Sequence, residues 1–233
     1  MRIGFFGDSL TEGRPGVSFL EELRPLLPEQ ELLNYGRRGD TVHSLCRRID
    51  RVQTETALDV AVLWIGTNDL LAKAFPGHAF LKRWMSQPAT RDLSEFQLFY
   101  RQTIERLLTS ARHVLAVSPL LIGEDLSNPW NRELRAWSEA MQSTVKPMRA
   151  VGFLDLRSLA AERLATGKSS DYVPQRVTSI GVDTLFVRTP RAVDRVSSRR
   201  GLRLTLDGLH LNSAGAQMIA EAFRRAITEV TSN

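Results

Sequence analysis

Ser9 follows a short apolar run, Met1-Arg2-Ile3-Gly4-Phe5-Phe6, that gives way to the polar turn Gly7-Asp8-Ser9-Leu10. A hydroxyl so placed stands at the carboxyl edge of a strand, the edge where open α/β sheets carry their chemistry. A lone serine carries little weight. Near the other end of the chain, Asp207-Gly208-Leu209-His210 adds a carboxylate and an imidazole three residues apart, close enough for the acid to orient the ring. Together these are the ingredients of nucleophilic catalysis by an activated alcohol.

For residues 9 and 210 to meet, the intervening chain has to form elements that return to one edge. Apolar runs bounded by turn residues recur with helical patterns between them, which predicts parallel strands joined by helical crossovers. Strands are expected at Arg2–Phe6, Glu31–Tyr35, Val60–Ile65, Val114–Val117 and Phe153–Leu156, and helices at Val17–Leu27, Val42–Val52, Leu93–Ser110, Trp130–Met148 and Ser213–Val230. Trp130, Leu134, Trp137, Met141, Val145 and Met148 recur at three- and four-residue steps, a core stripe preceded by the cap Asn128-Pro129. Asp92-x-x-Glu95 opens a second helix, and Ile219, Phe223, Ile227 and Val230 stripe the last. The reading is an α/β fold, a three-layer sandwich.

Composition sets the outer bounds. The 233 residues suit one α/β domain spanning 1–233, with no linker, repeat or low-complexity run. The 31 Lys and Arg against 26 Asp and Glu leave a net charge of +5, spread along solvated helix faces rather than gathered as a nucleic-acid patch. Cys46 is the single cysteine, so no intramolecular disulfide forms; it reads as a packed helix residue. No apolar run approaches the ~20 residues of a membrane span, and with a motif already at the end of the first strand no signal peptide is expected. A cytoplasmic address is expected.

Strand-end loops converge in such a sheet, so the residues after each strand are the informative ones. They are Gly7-Asp8-Ser9-Leu10, then Gly36-Arg37-Arg38-Gly39-Asp40-Thr41, then Gly66-Thr67-Asn68-Asp69, and before the last helix Asp207-Gly208-Leu209-His210. In order and identity these four blocks resemble those of the SGNH (GDSL-type) hydrolase superfamily. The resemblance frames nearly the whole chain and implies a flavodoxin-like α/β/α sandwich of about five parallel strands. Members are mostly esterases, lipases, thioesterases and carbohydrate deacetylases. Carried over, it implies Ser9 as nucleophile, Asp207 and His210 as acid and base, and the N–H of Ser9, the N–H of Gly39 and the amide of Asn68 as oxyanion donors.

These residue types suit those roles. Ser9 needs a base within about 2.6–3.2 Å, and His210 can serve. A carbonyl under attack develops an oxyanion that wants preorganised donors, and a glycine lets bare backbone approach it closely. Asp8 and Asp40 read as caps of turns or helix starts. His43, His78 and His113 read as structural or exposed. No spacing suggests zinc or calcium, and Gly4-Phe5-Phe6-Gly7 is no dinucleotide fingerprint, so neither metal nor organic cofactor is expected.

Two segments carry no strong pattern. Ala72–Thr90, with Phe75, Phe80, Trp84 and Met85, could wall an acyl or leaving-group pocket or simply pack as an excursion. Lys168–Leu206, with Arg188 and Arg191, is long enough for a lid or insertion, and its arginines would favour anionic or polar leaving groups. The expected activity is hydrolysis of carboxylic esters bearing short acyl or O-acetyl groups, including acetyl groups on sugars, through an acyl-enzyme on Ser9. Its partner would be a small-molecule ester. A thioesterase, a lysophospholipase or an acyltransferase could use the same site, and a flavodoxin-like ligand-binding module is the alternative from another class.

Overall fold

The computed structural model describes residues 1–52, 57–167, 170, 172, 187 and 189–232. Five strands, β1 (Arg2–Gly7), β2 (Glu31–Gly36), β3 (Leu58–Trp64), β4 (Ala111–Val117) and β5 (Val151–Leu154), pair in parallel in the order β2-β1-β3-β4-β5. The described helices are α1 (Ser9–Glu12), α2 (Phe19–Leu23), α3 (Val42–Val52), α4 (Thr67–Ala74), α5 (Pro76–Trp84), α6 (Leu93–Leu107), α7 (Pro129–Val145), α8 (Leu156–Ala165), α9 (Pro190–Arg199) and α10 (Ser213–Ser232). The strand order reverses between β1 and β3, which opens a crevice beyond their carboxyl ends. Register sets Gly7 beside both Gly36 and Trp64, so three strand-end loops start at one level.

Alternating side chains along each strand enter two different cores, as a parallel sheet covered on both faces requires. Ile3, Phe5, Val62 and Trp64 pack against α2, α8 and α10. On the other face Phe6, Ala61, Leu63 and Val114 pack against α3, α6 and α7. Phe223 of α10 stands 5.7 Å from the ring of Phe5 and 5.0 Å from that of Phe19, so the last helix packs on the first strand. The fold is thus a three-layer α/β/α sandwich.

Several boundaries differ from the sequence expectation for identifiable reasons. Leu156 belongs to α8 rather than to the fifth strand, because the Asp155 carboxylate accepts the Ser158 N–H at 3.1 Å and starts a helix inside the apolar run. The helix expected over 17–27 is α-helical only at Phe19–Leu23 and then tightens to a 3-10 turn at Arg24–Leu26, where Pro25 has no N–H to give. Segment 72–90 holds the end of α4 and all of α5, which starts at Pro76.

Of the stretch 168–206, residues 168–169, 171, 173–186 and 188 lie outside the described residues, and with them part of the lid expectation, Arg188 included. Its later part forms α9, which buries Val193 and Ser197. Ser197 Oγ accepts from Asn212 Nδ2 at 2.8 Å and donates to Thr205 O at 2.7 Å, fastening α9 to the loop that carries Asp207 and His210.

Candidate active site

The turn that presents Ser9 is shaped by a glycine. A Cβ on Gly7 would lie 2.2 Å from Thr11 Oγ1 and 2.3 Å from Trp64 O, so no side chain fits between β1, β3 and the first turn of α1. Asp8 caps that turn, its Oδ1 accepting the Leu10 N–H at 3.0 Å. Ser9 is the first helical residue, and its N–H has no intrahelical acceptor.

His210 reaches Ser9 from 201 residues away: its Nε2 lies 3.0 Å from Ser9 Oγ. Its Nδ1 lies 2.8 Å from Asp207 Oδ2, while Asp207 Oδ1 accepts the backbone N–H of His210 at 2.8 Å and of Leu209 at 3.0 Å. Both carboxylate oxygens are engaged, which fixes the acid and, through it, the ring. With Nδ1–H donating to Asp207, Nε2 is left as the acceptor that faces the hydroxyl.

The electrostatics agree with that order. Burial pushes the Asp207 carboxyl up, but the His210 charge, the bond to its ring and two backbone N–H groups hold it below the usual carboxylate range. Burial disfavours the charged His210 ring, yet the Asp207 carboxylate, aided by Asp8 and opposed by Arg38, raises its pKa above the ordinary 6.5.

Two supports hold the Asp207–His210 loop. Leu206 N–H donates to His210 O at 2.7 Å and Gly208 O accepts from Gly123 N at 2.7 Å. Glu124, fully buried, accepts from the N–H of Arg203 at 2.7 Å, of Leu204 and Thr205 at 2.8 Å, and from Thr205 Oγ1 at 2.7 Å. One carboxylate beyond β4 thus organises the approach to Asp207.

Gly39 and Asn68 come from the loops after β2 and β3. Gly39 has φ +79°, a conformation that favours glycine, and its N–H meets no acceptor among the described residues. Asn68 Nδ2 donates to Asp8 Oδ2 at 2.9 Å and to Asp40 O at 3.0 Å. The amide therefore ties the serine turn to the Gly39 turn. All five residues singled out in the sequence gather at the β1–β3 crevice.

A charged cluster lies beneath them. Burial lifts Asp8 to about 6 against the pull of the Leu10 N–H, and Asp69, likewise buried, to about 6. Asp69 holds the start of α3 through Val42 N–H at 2.9 Å. Asp40, read from the sequence as a cap, accepts no backbone N–H among the described residues: its carboxylate takes Arg48 Nε at 2.5 Å and Ser44 Oγ at 2.9 Å, while Thr41 Oγ1 accepts the Ser44 N–H at 3.2 Å and caps α3 in its place. Lys82 is buried, which lowers its ammonium to about 8 although Asp8, Asp69 and Asp40 work the other way.

Elsewhere, His43 packs on Phe99 with ring centres 4.4 Å apart, and His78 is buried on α5, its pKa lowered to about 4 by burial and by Lys82. His113 lies on β4, and Cys46 is a buried free thiol on α3. Of the aromatics in 72–90, Phe75 packs on Trp130, whereas Phe80 and Trp84 face solvent. Among the described residues no group of three or more His, Cys, Asp or Glu could hold a metal ion, and no helix is long and apolar enough to cross a membrane.

The fold has counterparts among known proteins. Axe2, an acetylxylan esterase from Geobacillus stearothermophilus, superposes with a TM-score of 0.65 at 18 % identity, over 97 % of this chain and 93 % of that one. The acetyl xylan esterase AlAXEase does so with a TM-score of 0.65 at 21 % identity, over 97 % of this chain and 100 % of that one. At such identities the likeness is one of fold. No curated protein sequence matches the chain. The model of the GDSL-like lipase/acylhydrolase family matches residues 5–218, and on that match the chain belongs to this family of carboxylic ester hydrolases.

Proposed function

We propose that this protein removes short acyl groups, acetyl foremost, from hydroxyls of carbohydrates, with Ser9 as nucleophile, His210 as base and Asp207 as its orienting acid. The observation that carries the assignment is the relay of contacts: Ser9 Oγ to His210 Nε2 at 3.0 Å and His210 Nδ1 to Asp207 Oδ2 at 2.8 Å.

Ser9 Oγ attacks the acyl carbon while its proton passes to His210 Nε2. The carbonyl oxygen takes the negative charge and is met by the N–H groups of Ser9 and Gly39, with Asn68 as third donor. The ester C–O bond then breaks, and the His210 proton goes to the departing alkoxide, leaving the acyl group on Ser9. Water repeats the sequence: it gives its proton to His210, attacks the acyl carbon and releases the free acid as Ser9 recovers its proton.

Acetyl groups on sugars are favoured because the structural neighbours named above are acetylxylan esterases. We further propose that residues 1–233 act as one domain, in the cytoplasm, on a small ester and without nucleic acid. The test of substrate class is acetate release from acetylated xylo-oligosaccharides alongside p-nitrophenyl esters of increasing acyl length. The proposal expects kcat/KM to be highest for acetyl and to fall steeply beyond butyryl. Rates that climb through octanoyl would replace it with a lipase or lysophospholipase.

A further inference from the structure

Helix α5 buries the residues a helix ordinarily exposes. It leaves Phe80 and Trp84 more than three-quarters exposed and buries His78 and Lys82. Phe80 and Trp84 share one face, and Lys82, two residues from each, falls on the opposite one. Burying an ammonium and exposing two aromatics both oppose folding, and such reversals of pattern concentrate where a residue serves function.

The buried face is aimed at Gly39. Lys82 Nζ donates to Gly39 O at 2.5 Å. Gln87, just beyond the helix, donates through Nε2 to Arg38 O at 3.0 Å and to Asp40 Oδ1 at 3.2 Å. Arg38 C=O and Gly39 N–H belong to one planar peptide, so a donor on that oxygen fixes the direction of the N–H and, by polarising the amide, strengthens it as a donor. Lys82 holds the following peptide. A Cβ on Gly39 would lie 2.7 Å from both Lys82 Nζ and Gln87 Oε1, so the two side chains close on the space a side chain would occupy.

We propose that Gln87 and Lys82 are positioning residues for the Gly39 N–H, setting the peptides on either side of that glycine so that its hydrogen meets the tetrahedral oxyanion. This rests on the reading of Gly39 as an oxyanion donor given above. Both act through Gly39 rather than on the substrate, from a segment outside the four motif blocks.

The test uses Gln87→Met, which keeps length and removes the donor, and Lys82→Met, which removes the donor and is one atom shorter, with Lys82→Arg as the conservative variant. Two quantities are read on folded protein: steady-state turnover of an acetyl ester, and affinity for a boronic acid that forms a tetrahedral adduct on serine. Each methionine variant should lower kcat roughly 10- to 100-fold, less than deleting a donor outright, with KM changed by no more than about threefold. Boronate affinity should fall in parallel, and Lys82→Arg should recover part of both.

Wild-type kcat in Gln87→Met and Lys82→Met overturns the proposal, as does lowered kcat with undiminished boronate affinity. Should neither methionine variant fold, Gln87→Asn, an amide one methylene too short, is read the same way. Ser9→Ala separates this proposal from its parent. Turnover that survives Ser9→Ala, or is unchanged in Gly39→Ala, sinks the reading the proposal rests on, whereas turnover lost in the first, lowered in the second and untouched by the Gln87 and Lys82 variants sinks only the positioning role.

Discussion

At the scale of single residues, the Ser9–His210–Asp207 chain makes the pH dependence a matter of sign. His210 can accept the serine proton only when its ring is neutral. Burial favours the neutral ring, but the Asp207 carboxylate outweighs it and raises the pKa above 6.5. Activity should therefore rise with pH through an acid limb in kcat/KM centred above 6.5, measured on a neutral ester. A limb centred below 6 would contradict the pairing. Gly39 gives a second prediction at this scale. Gly39→Ala places a methyl 2.7 Å from Lys82 Nζ at φ +79°, so the turn has to shift. We expect kcat to fall about 10²–10³-fold with KM little changed, as for loss of one oxyanion donor; unchanged kcat in steady-state assays would remove Gly39 from the site.

At the scale of elements, the buried Glu124 is the least exchangeable anchor of the loop bearing Asp207 and His210. Glu124→Leu strands three backbone N–H groups and a hydroxyl, and should cost more than about 3 kcal/mol in urea unfolding. Glu124→Gln keeps an oxygen for the three donors now on Oε1 but turns an amide N–H toward Arg203 N–H, so a smaller loss of about 1–2 kcal/mol is expected. Equal stability of wild type and Glu124→Leu would refute the anchor.

This scale also shows what the sequence could convey. Ser9 was legible as a hydroxyl at a strand end, where apolar run and turn are adjacent in the chain, whereas Gly39 and Asn68 were legible only through the resemblance of their strand-end blocks to those of the family. The stripes of α6, α7 and α10 were legible because their buried faces repeat at helical spacing. Glu124, Lys82 and Gln87 were not, since their partners lie 79, 43 and 49 residues away and no local pattern marks them. The aromatics of 72–90 left a pocket wall and a packed excursion both open; Phe75 packs on Trp130, Phe80 and Trp84 face solvent, and Lys82 turns in.

At the scale of the whole molecule, the proposed chemistry depends on residues near both ends of the chain sharing one core. Phe223 of α10 packs among Phe5, Phe19 and Trp64, so the helix that follows His210 is fixed on the strand that precedes Ser9. Phe223→Ala should cost about 3–5 kcal/mol by denaturant unfolding. Activity measured well below the melting transition should stay close to wild type, because the ring lies in the core and not among the reacting groups; a kcat loss without a stability loss would contradict this. The proposed mechanism requires that a hydroxyl at residue 9 be activated by an imidazole 201 residues later. Its most direct measurement is labelling with a fluorophosphonate followed by mass spectrometry of the modified peptide. One adduct is expected, on Ser9, formed by the wild type and abolished in His210→Ala. An adduct on any other residue, or undiminished labelling of Ser9 in His210→Ala, would contradict it.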